Sequence, residues 1–403
     1  MARAVCTPRR RTPIDRCPGA LELHDAQDGA LARIRTPGGR VSADGVRALA
    51  RAVELGNGLA DLTSRANVQV RGLAREDAGR LAALLSAAGM LPSAAHDRAR
   101  NVLASPVAGR HPEALAATDA VVADLDRRLC AEPALAALPG RFLFAVDDGS
   151  ALALDHRADV ALVAGERDFA LWLAGRRVAQ RLAAPEAAAT AIAAALGFLA
   201  ERDAQGCGAW RVAELPGGAA AVAGRLGLDL GPPAPAPLAP RLAPGALRQR
   251  DGRIAVTALV PLGRLDGATL AGLAEVAGEV RISTARTVTV PDVGAGRAAG
   301  VQAALRELGL SLSPRSGWAG LTACAGLGAC PRARLDVRAA AARRAAVRDP
   351  RAGAEHWAAC ERRCGERAAQ PVSVAALREG VAVRRGEEEH VVASAEAALE
   401  VLA

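Results

Sequence analysis

At 403 residues the chain exceeds one ordinary core, so two to four compact units are expected. Hydrophobic residues make up 51%, chiefly Ala, Leu and Val, with four Phe, four Trp, no Tyr and no Lys, and the net charge is +8. That charge points to an anionic partner, yet so few aromatics argue against the stacking platforms of a nucleic-acid binder, and no nucleic-acid partner is expected.

Residues 1–20 are Arg-rich but have no apolar core, so no secretory leader is expected. The longest apolar stretch, Ala187 to Ala200, is too short and Ala-rich for a membrane span and reads as a buried helix. Eight Cys without a leader favour metal or redox use over a disulfide framework, and a cytoplasmic location is expected.

In chain order, Leu31-Ala-Arg-Ile-Arg-Thr-Pro alternates like a strand. A helix from Val41 to Leu55, a strand from Gly58 to Arg71 and a helix from Glu76 to Ala88 follow. In the second strand Thr63, Arg65, Asn67, Gln69 and Arg71 alternate with Ser64, Ala66, Val68 and Val70. One face is therefore a row of donors suited to carboxylates, although an ordinary solvated strand face has the same pattern.

Residues 231–245 hold six prolines in fifteen positions and read as an extended connector. Beyond it the first order recurs: a strand from Arg253 to Val260, a helix from Asp266 to Val276, a strand pair through Val280 to Val290 and a helix from Arg297 to Leu308. Arg40 corresponds to Arg264, Thr63-Ser-Arg65 to Ser283-Thr-Ala-Arg286, and Gly89 to Gly309, at offsets of 220 to 224. Two Ala-rich units can look alike by chance, but strand, turn, helix and Arg recurring in order favour duplication.

Near the C-terminus, Cys324 and Cys330 form a C-x5-C loop, and Cys360 and Cys364 a C-x3-C loop. Four thiolates suit an iron–sulfur cluster, and Gly326, Gly328 and Gly365 let backbone N–H groups approach the sulfurs. Zinc pairs its cysteines more closely, and four unrelated buried cysteines are the other competing reading. Cys6, Cys17, Cys130 and Cys207 show no pairing pattern and read as core or free thiols. His24, His96, His111, His156, His356 and His390 form no metal-binding pattern and are expected at the surface or as caps. Arg343 and Arg344 read as a solvated helix face.

With these residues in place, the sequence resembles the sirohaem–iron–sulfur superfamily of sulfite and nitrite reductases and, within it, the precorrin-3B synthases. The paired cysteine loops match the superfamily's cluster signature, and Arg35-Thr-Pro-Gly-Gly39 is similar to its Arg-x-Pro-Gly-Gly turn. Gly56 to Gly72 resembles the strand lining the tetrapyrrole cavity, and Arg100-Asn101-Val-Leu-Ala-Ser-Pro106 an anion-contacting segment. The resemblance implies a duplicated α+β fold. Two ferredoxin-like half-domains (18–92 and 246–312) would alternate with two α/β domains (93–230 and 313–403, the second carrying the cluster), joined through the 231–245 linker.

It also implies a [4Fe–4S] cluster on Cys324, Cys330, Cys360 and Cys364, and substrate contacts from Arg35, Arg65, Asn67, Gln69, Arg71, Arg100, Asn101, Arg141 and Arg286. The reductases place two Lys, one residue apart, beside the substrate anion, where this chain has Arg141-Phe142-Leu143. Leu143 cannot bind an oxyanion. That departure and Cys17-Pro-Gly19 favour the precorrin-3B synthases. The implied reaction is then O2-dependent hydroxylation of precorrin-3A at C20 with γ-lactone formation, in aerobic cobalamin biosynthesis. A mononuclear non-haem iron would activate oxygen, and an external nicotinamide or ferredoxin system would supply electrons. The alternative is a sirohaem-dependent ferredoxin sulfite or nitrite reductase, and a non-catalytic iron–sulfur or tetrapyrrole-binding protein is the third reading. Cys360-Glu-Arg-Arg-Cys364 is bulkier and more charged than the superfamily's small-residue loop.

Overall fold

The computed structural model describes residues 15, 17–154, 158–232, 242–367 and 369–403. Cys6, His156 and the 233–241 stretch of the Pro-rich connector lie outside the described residues. The duplication is visible as two matched pairs of sheets.

The first sheet orders His24–Ala26, Gly29–Ile34, Val68–Leu73 and Leu59–Leu62, and is completed by Arg264–Asp266 from the second half. The second orders Gly245–Arg248, Ile254–Leu259, Thr287–Val293 and Glu279–Ile282, and is completed by Arg40–Ser42 from the first. Each half thus lends the other an edge strand, which covers backbone groups that an open edge would expose. Arg264 pairs with Asp61 across one exchanged edge, at 3.0 Å, and Arg40 with Glu279 across the other, at 2.7 Å. Helices Ala43–Glu54 and Gly267–Val276 pack together at the centre, burying Val46, Leu49 and Val53 with Leu265, Leu270 and Leu273. Both start on matched caps: Ser42 accepts from the Gly45 amide and Asp266 from the Thr269 amide.

The turn after each inner strand also repeats. The Thr63 amide donates to Asn67 at 2.9 Å and the Ser283 amide to Thr287 at 3.1 Å. Ala66 and Arg286 both sit at positive φ, 54° and 60°. Arg286 is therefore the counterpart of Ala66, and the correspondence between Arg65 and Arg286 drawn from the sequence slips by one residue.

Each α/β unit holds three parallel strands followed by an antiparallel pair: Val102–Ala104, Phe144–Asp147, Val160–Ala164, Asp168–Leu173 and Arg176–Ala183 in one, Leu321–Ala323, Glu355–Ala358, Val372–Ala376, Val381–Arg385 and Glu388–Val392 in the other. Ala187 to Ala200 falls inside helix Ala184–Ala204, whose Ala188, Ala191, Ala195 and Phe198 enter the core, as the apolar run predicts. The expected α+β architecture is present, with the two sheet-sharing half-domains alternating with the two α/β units. Of Arg343 and Arg344 in helix Val337–Val347, only Arg343 is solvated. Arg344 is buried against Glu355, which also holds Arg348 and accepts from Trp357 Nε1 at 2.7 Å.

Candidate functional site

Ligands of parallel sheets gather at the carboxyl ends of the strands, and both cysteine loops start there. Cys324 directly follows Leu321–Ala323, and Cys360 lies two residues beyond the adjacent parallel strand Glu355–Ala358. The two loops therefore emerge side by side. The Ala359 amide donates to Cys324 Sγ at 3.2 Å, the kind of contact that stabilises thiolate charge. Burial pushes the Cys324 thiol up, the Ala359 and Gly326 amides oppose this, and the nearby Cys364 and Cys360 raise it further. Gly326 and Gly328 turn at φ of 78° and 83°, which lets the longer loop fold back between its cysteines. The charged C-x3-C loop is accommodated at the surface. Arg363 reaches Ser373 and Glu389, Glu361 pairs with Arg334, and Cys364 itself is exposed. The donor set and its amides fit a [4Fe–4S] cluster.

Two cavities meet at Ser64. One, of about 450 Å³, is lined by Asp15, Cys17, Arg33, Arg65, Asn67, Arg141 and Trp210, among others. Arg65 donates to the Gly140 carbonyl at 3.4 Å, and burial pushes its guanidinium down to about 10, with Arg211 adding to the effect. Arg141 lies over the Trp210 ring at 5.6 Å. Asn67 links to Asn101 at 3.1 Å, and Asn101 donates to Gly140 at 3.0 Å, so Asn101 supports the wall from behind. Gln69 sits one layer out and accepts from Arg33 at 3.2 Å. Arg35 is 2% exposed, and burial pushes its guanidinium down. Its Nη2 reaches Cys17 Sγ at 3.5 Å, while Nε and Nη1, like Arg33 Nε, have no hydrogen-bond partner among the described residues.

Two expected cavity residues turn elsewhere. Arg100 grips Asp126 at 2.8 and 2.7 Å and donates to the Met90 carbonyl, so its fork is already filled. Arg71 grips Asp28 and donates to the Ala329 carbonyl at 2.9 Å, one residue before Cys330, so it clamps the cluster loop instead of facing a ligand. The single strand expected from Gly58 to Arg71 is two strands, Leu59–Leu62 and Val68–Leu73, joined by a turn closed from Thr63 to Asn67. Thr63, Arg65 and Asn67 therefore belong to the turn. The second strand's pairing with Gly29–Ile34 shifts register between Val70 and Leu73, where Arg71 leaves the cavity side. Leu143 is 1% exposed, and its amide donates to Asp159 at 2.9 Å, so its side chain belongs to the core. The sequence reading missed Arg33, Asp15 and Trp210, and it placed Cys17 among the unassigned thiols. Arg33 was legible, because it lies in strand Gly29–Ile34 two residues before Arg35.

The second cavity, of about 490 Å³, has an apolar wall of Leu259, Pro314 and Trp318, with Arg286, Arg367 and Gln370 beside it. Arg286 packs over Gly263 and donates to the Leu62 carbonyl at 3.2 Å, joining the two halves. Gly365, next to Cys364, lies on the same wall. Beneath it, burial holds the His356 imidazole down at about 4, so the ring is neutral at pH 7. His356 is thus interior, not at the surface as its lone occurrence suggested. Among the described residues no three His, Cys, Asp or Glu side chains converge as a single-ion site requires. A four-iron cluster makes no such demand, because each thiolate binds a different iron. Among the same residues no helix is long and apolar enough to cross a membrane.

Comparison with known proteins gives the same frame. The nitrite/sulfite reductase ferredoxin-like half domain family matches residues 24–88 and again residues 247–308. A "Sulfite reductase [ferredoxin] 2" of Mycolicibacterium paratuberculosis is 30% identical over 118 residues, 29% of this chain and 21% of that protein. The matched segment therefore spans about a fifth of that relative. The solved structure of the Mycobacterium tuberculosis NirA protein superposes with a TM-score of 0.73, at 21% identity, over 89% of this chain and 75% of NirA. Residues 24–88 and 247–308 are thus each similar to the nitrite/sulfite reductase ferredoxin-like half domain, and the chain shares its fold with NirA.

Proposed function

We propose that the protein is an oxidoreductase holding a carboxylate-rich tetrapyrrole beside a [4Fe–4S] cluster, and that it acts as a sirohaem-type sulfite or nitrite reductase. The observation carrying this reading is the convergence of Arg33, Arg65 and Arg141 on one cavity, with Arg35 buried behind them and guanidinium nitrogens left without acceptors. Buried donors without partners are costly, and an anionic ligand offsets that cost with bidentate contacts. The apolar wall of the adjoining cavity suits the flat face of a macrocycle. Cys324, Cys330, Cys360 and Cys364 would hold the cluster, which supplies single electrons when bound. Arg65 and Arg141 would orient the anion, which is positioning work. The matched half domains and the two named relatives support the reductase reading.

A second reading, precorrin-3B synthase, is favoured by Leu143, an apolar core residue where the resemblance places a reductase Lys. In that reading precorrin-3A is the substrate and dioxygen the oxidant, with electrons from an external donor. Acid–acetone extraction of the purified protein, paired with sulfite and nitrite turnover on a reduced viologen dye, decides between them. About one extractable sirohaem per chain and turnover of either anion are expected. A protein without sirohaem, inert towards both anions and able to bind precorrin-3A, would overturn the first reading in favour of the second.

A further inference from the structure

His356 lies in strand Glu355–Ala358, four residues before Cys360, and is 1% exposed. Its Nε2 is 3.1 Å from the Cys364 carbonyl oxygen. A carbonyl only accepts, so Nε2 carries the proton and Nδ1 is left as the acceptor. Thr322 Oγ1 stands 2.8 Å from Nδ1 and donates to it, in preference to its longer contact with the Glu355 carbonyl at 3.2 Å. Thr322 lies two residues before Cys324 and directly opposite His356 in the parallel register. The ring therefore ties the strand that ends at Cys324 to the backbone of Cys364.

The fit above the ring is close. A Cβ on Gly365 would lie 3.1 Å from His356 Cε1, and Gly365 has a φ of 97°. A glycine after Cys364 is what allows the loop to rest on the imidazole. Cys364 is the exposed member of the four cysteines, and Gly365 lines the larger cavity. The exposed cysteine beside cavity-lining Gly365 is thus the one the ring restrains.

We infer that His356 is a positioning residue for the cluster, pinning Cys364 through a Thr322–His356–Cys364 hydrogen-bond relay. The inference rests on the cluster assignment above. Partners behind metal ligands fix ligand orientation and tune the metal, and losing one costs about 10–100-fold in metal affinity. Full-length protein, purified anaerobically, should be compared as wild type, His356→Ala, His356→Asn, Thr322→Val and Thr322→Ser. The readouts are the rate of iron loss to a chelator, the EPR signal after reduction, and the reduced fraction at one fixed potential. His356→Ala and Thr322→Val should lose iron at least roughly 10-fold faster and show an altered signal. His356→Asn, which still donates to a carbonyl, and Thr322→Ser should recover most of the loss. If His356→Ala fails to fold by circular dichroism, Thr322→Val decides, because it leaves the ring in place. Wild-type iron retention and signal in Thr322→Val, and in any folded His356→Ala protein, would overturn the relay. Wild-type protein that binds no cluster would instead overturn the assignment beneath it, before any variant is compared.

Discussion

Single arginines in this chain divide into those that complete the protein and those that await something else. Arg100 is the first kind, because both arms of its fork are spent on Asp126. Arg65 is the second, half-buried on a cavity wall with one long bond to a carbonyl. Arg65→Ala should cost about 1.5–3 kcal/mol of affinity for a carboxylate-rich tetrapyrrole, followed by absorbance titration, and little stability. Arg100→Ala should do the reverse, costing roughly 1–3 kcal/mol of stability in urea unfolding because Asp126 loses its partner. Arg343→Ala, on the solvated face, should change neither. Residue type and spacing alone could not sort these arginines. The two cysteine loops were legible as a pair from their short spacings, and the structure sets them at the ends of adjacent parallel strands. An arginine's role depends on which carboxylate reaches it first, and Asp126 and Asp28 are distant enough in sequence to leave no local sign.

At the scale of elements, turns explain what the repeat looks like and where reading it slips. The two half-domains share caps, inner strands and a positive-φ turn residue, so the duplication was visible as an ordered recurrence. Arg286 misled because a bulky residue occupies a position where its counterpart is Ala66, and backbone conformation, not side-chain identity, sets the correspondence. The segment beneath the cavity has its own signature. Asp159 is buried, accepts from the Leu143 and Val212 amides and pairs with Arg211 at 2.5 Å, and burial, opposed by these partners, pushes its carboxyl up to about 6. The folded-state value lies above the unfolded one of 3.8, so the protonated form's contribution to stability is complete below that pH. It is lost as pH rises towards about 6. The stability of wild type relative to Asp159→Asn should therefore fall between those two values and stay level above them. Urea midpoints measured across that range check this, and a difference independent of pH would show that Asp159 does not titrate as described.

For the whole molecule, the exchanged edge strands make the two halves one folding unit. Gly39 sits at that joint at a φ of 71°, and a Cβ there would lie 2.1 Å from the Ile282 carbonyl oxygen of the other half. Gly39→Ala should cost more than about 2 kcal/mol in denaturant unfolding and should destabilise both halves together, in a single transition. Strand exchange was not legible in the sequence, because the lent strands are three residues long and carry no periodicity of their own. The alternation of half-domains and α/β units was legible, through the repeat and through the family resemblance. The proposed redox chemistry turns on a cluster held by the cysteine loops at the strand ends of the second α/β unit. Iron and acid-labile sulfide content, with EPR of the reduced protein, tests it most directly when wild type is set beside Cys324→Ser, Cys330→Ser, Cys360→Ser, Cys364→Ser and the controls Cys130→Ser and Cys207→Ser. Wild type and both controls should hold four iron and four sulfide per chain with one reduced-cluster signal, and each of the four ligand variants should lose or destabilise the cluster. Full iron occupancy and an unchanged signal in two of those four variants would contradict the assignment.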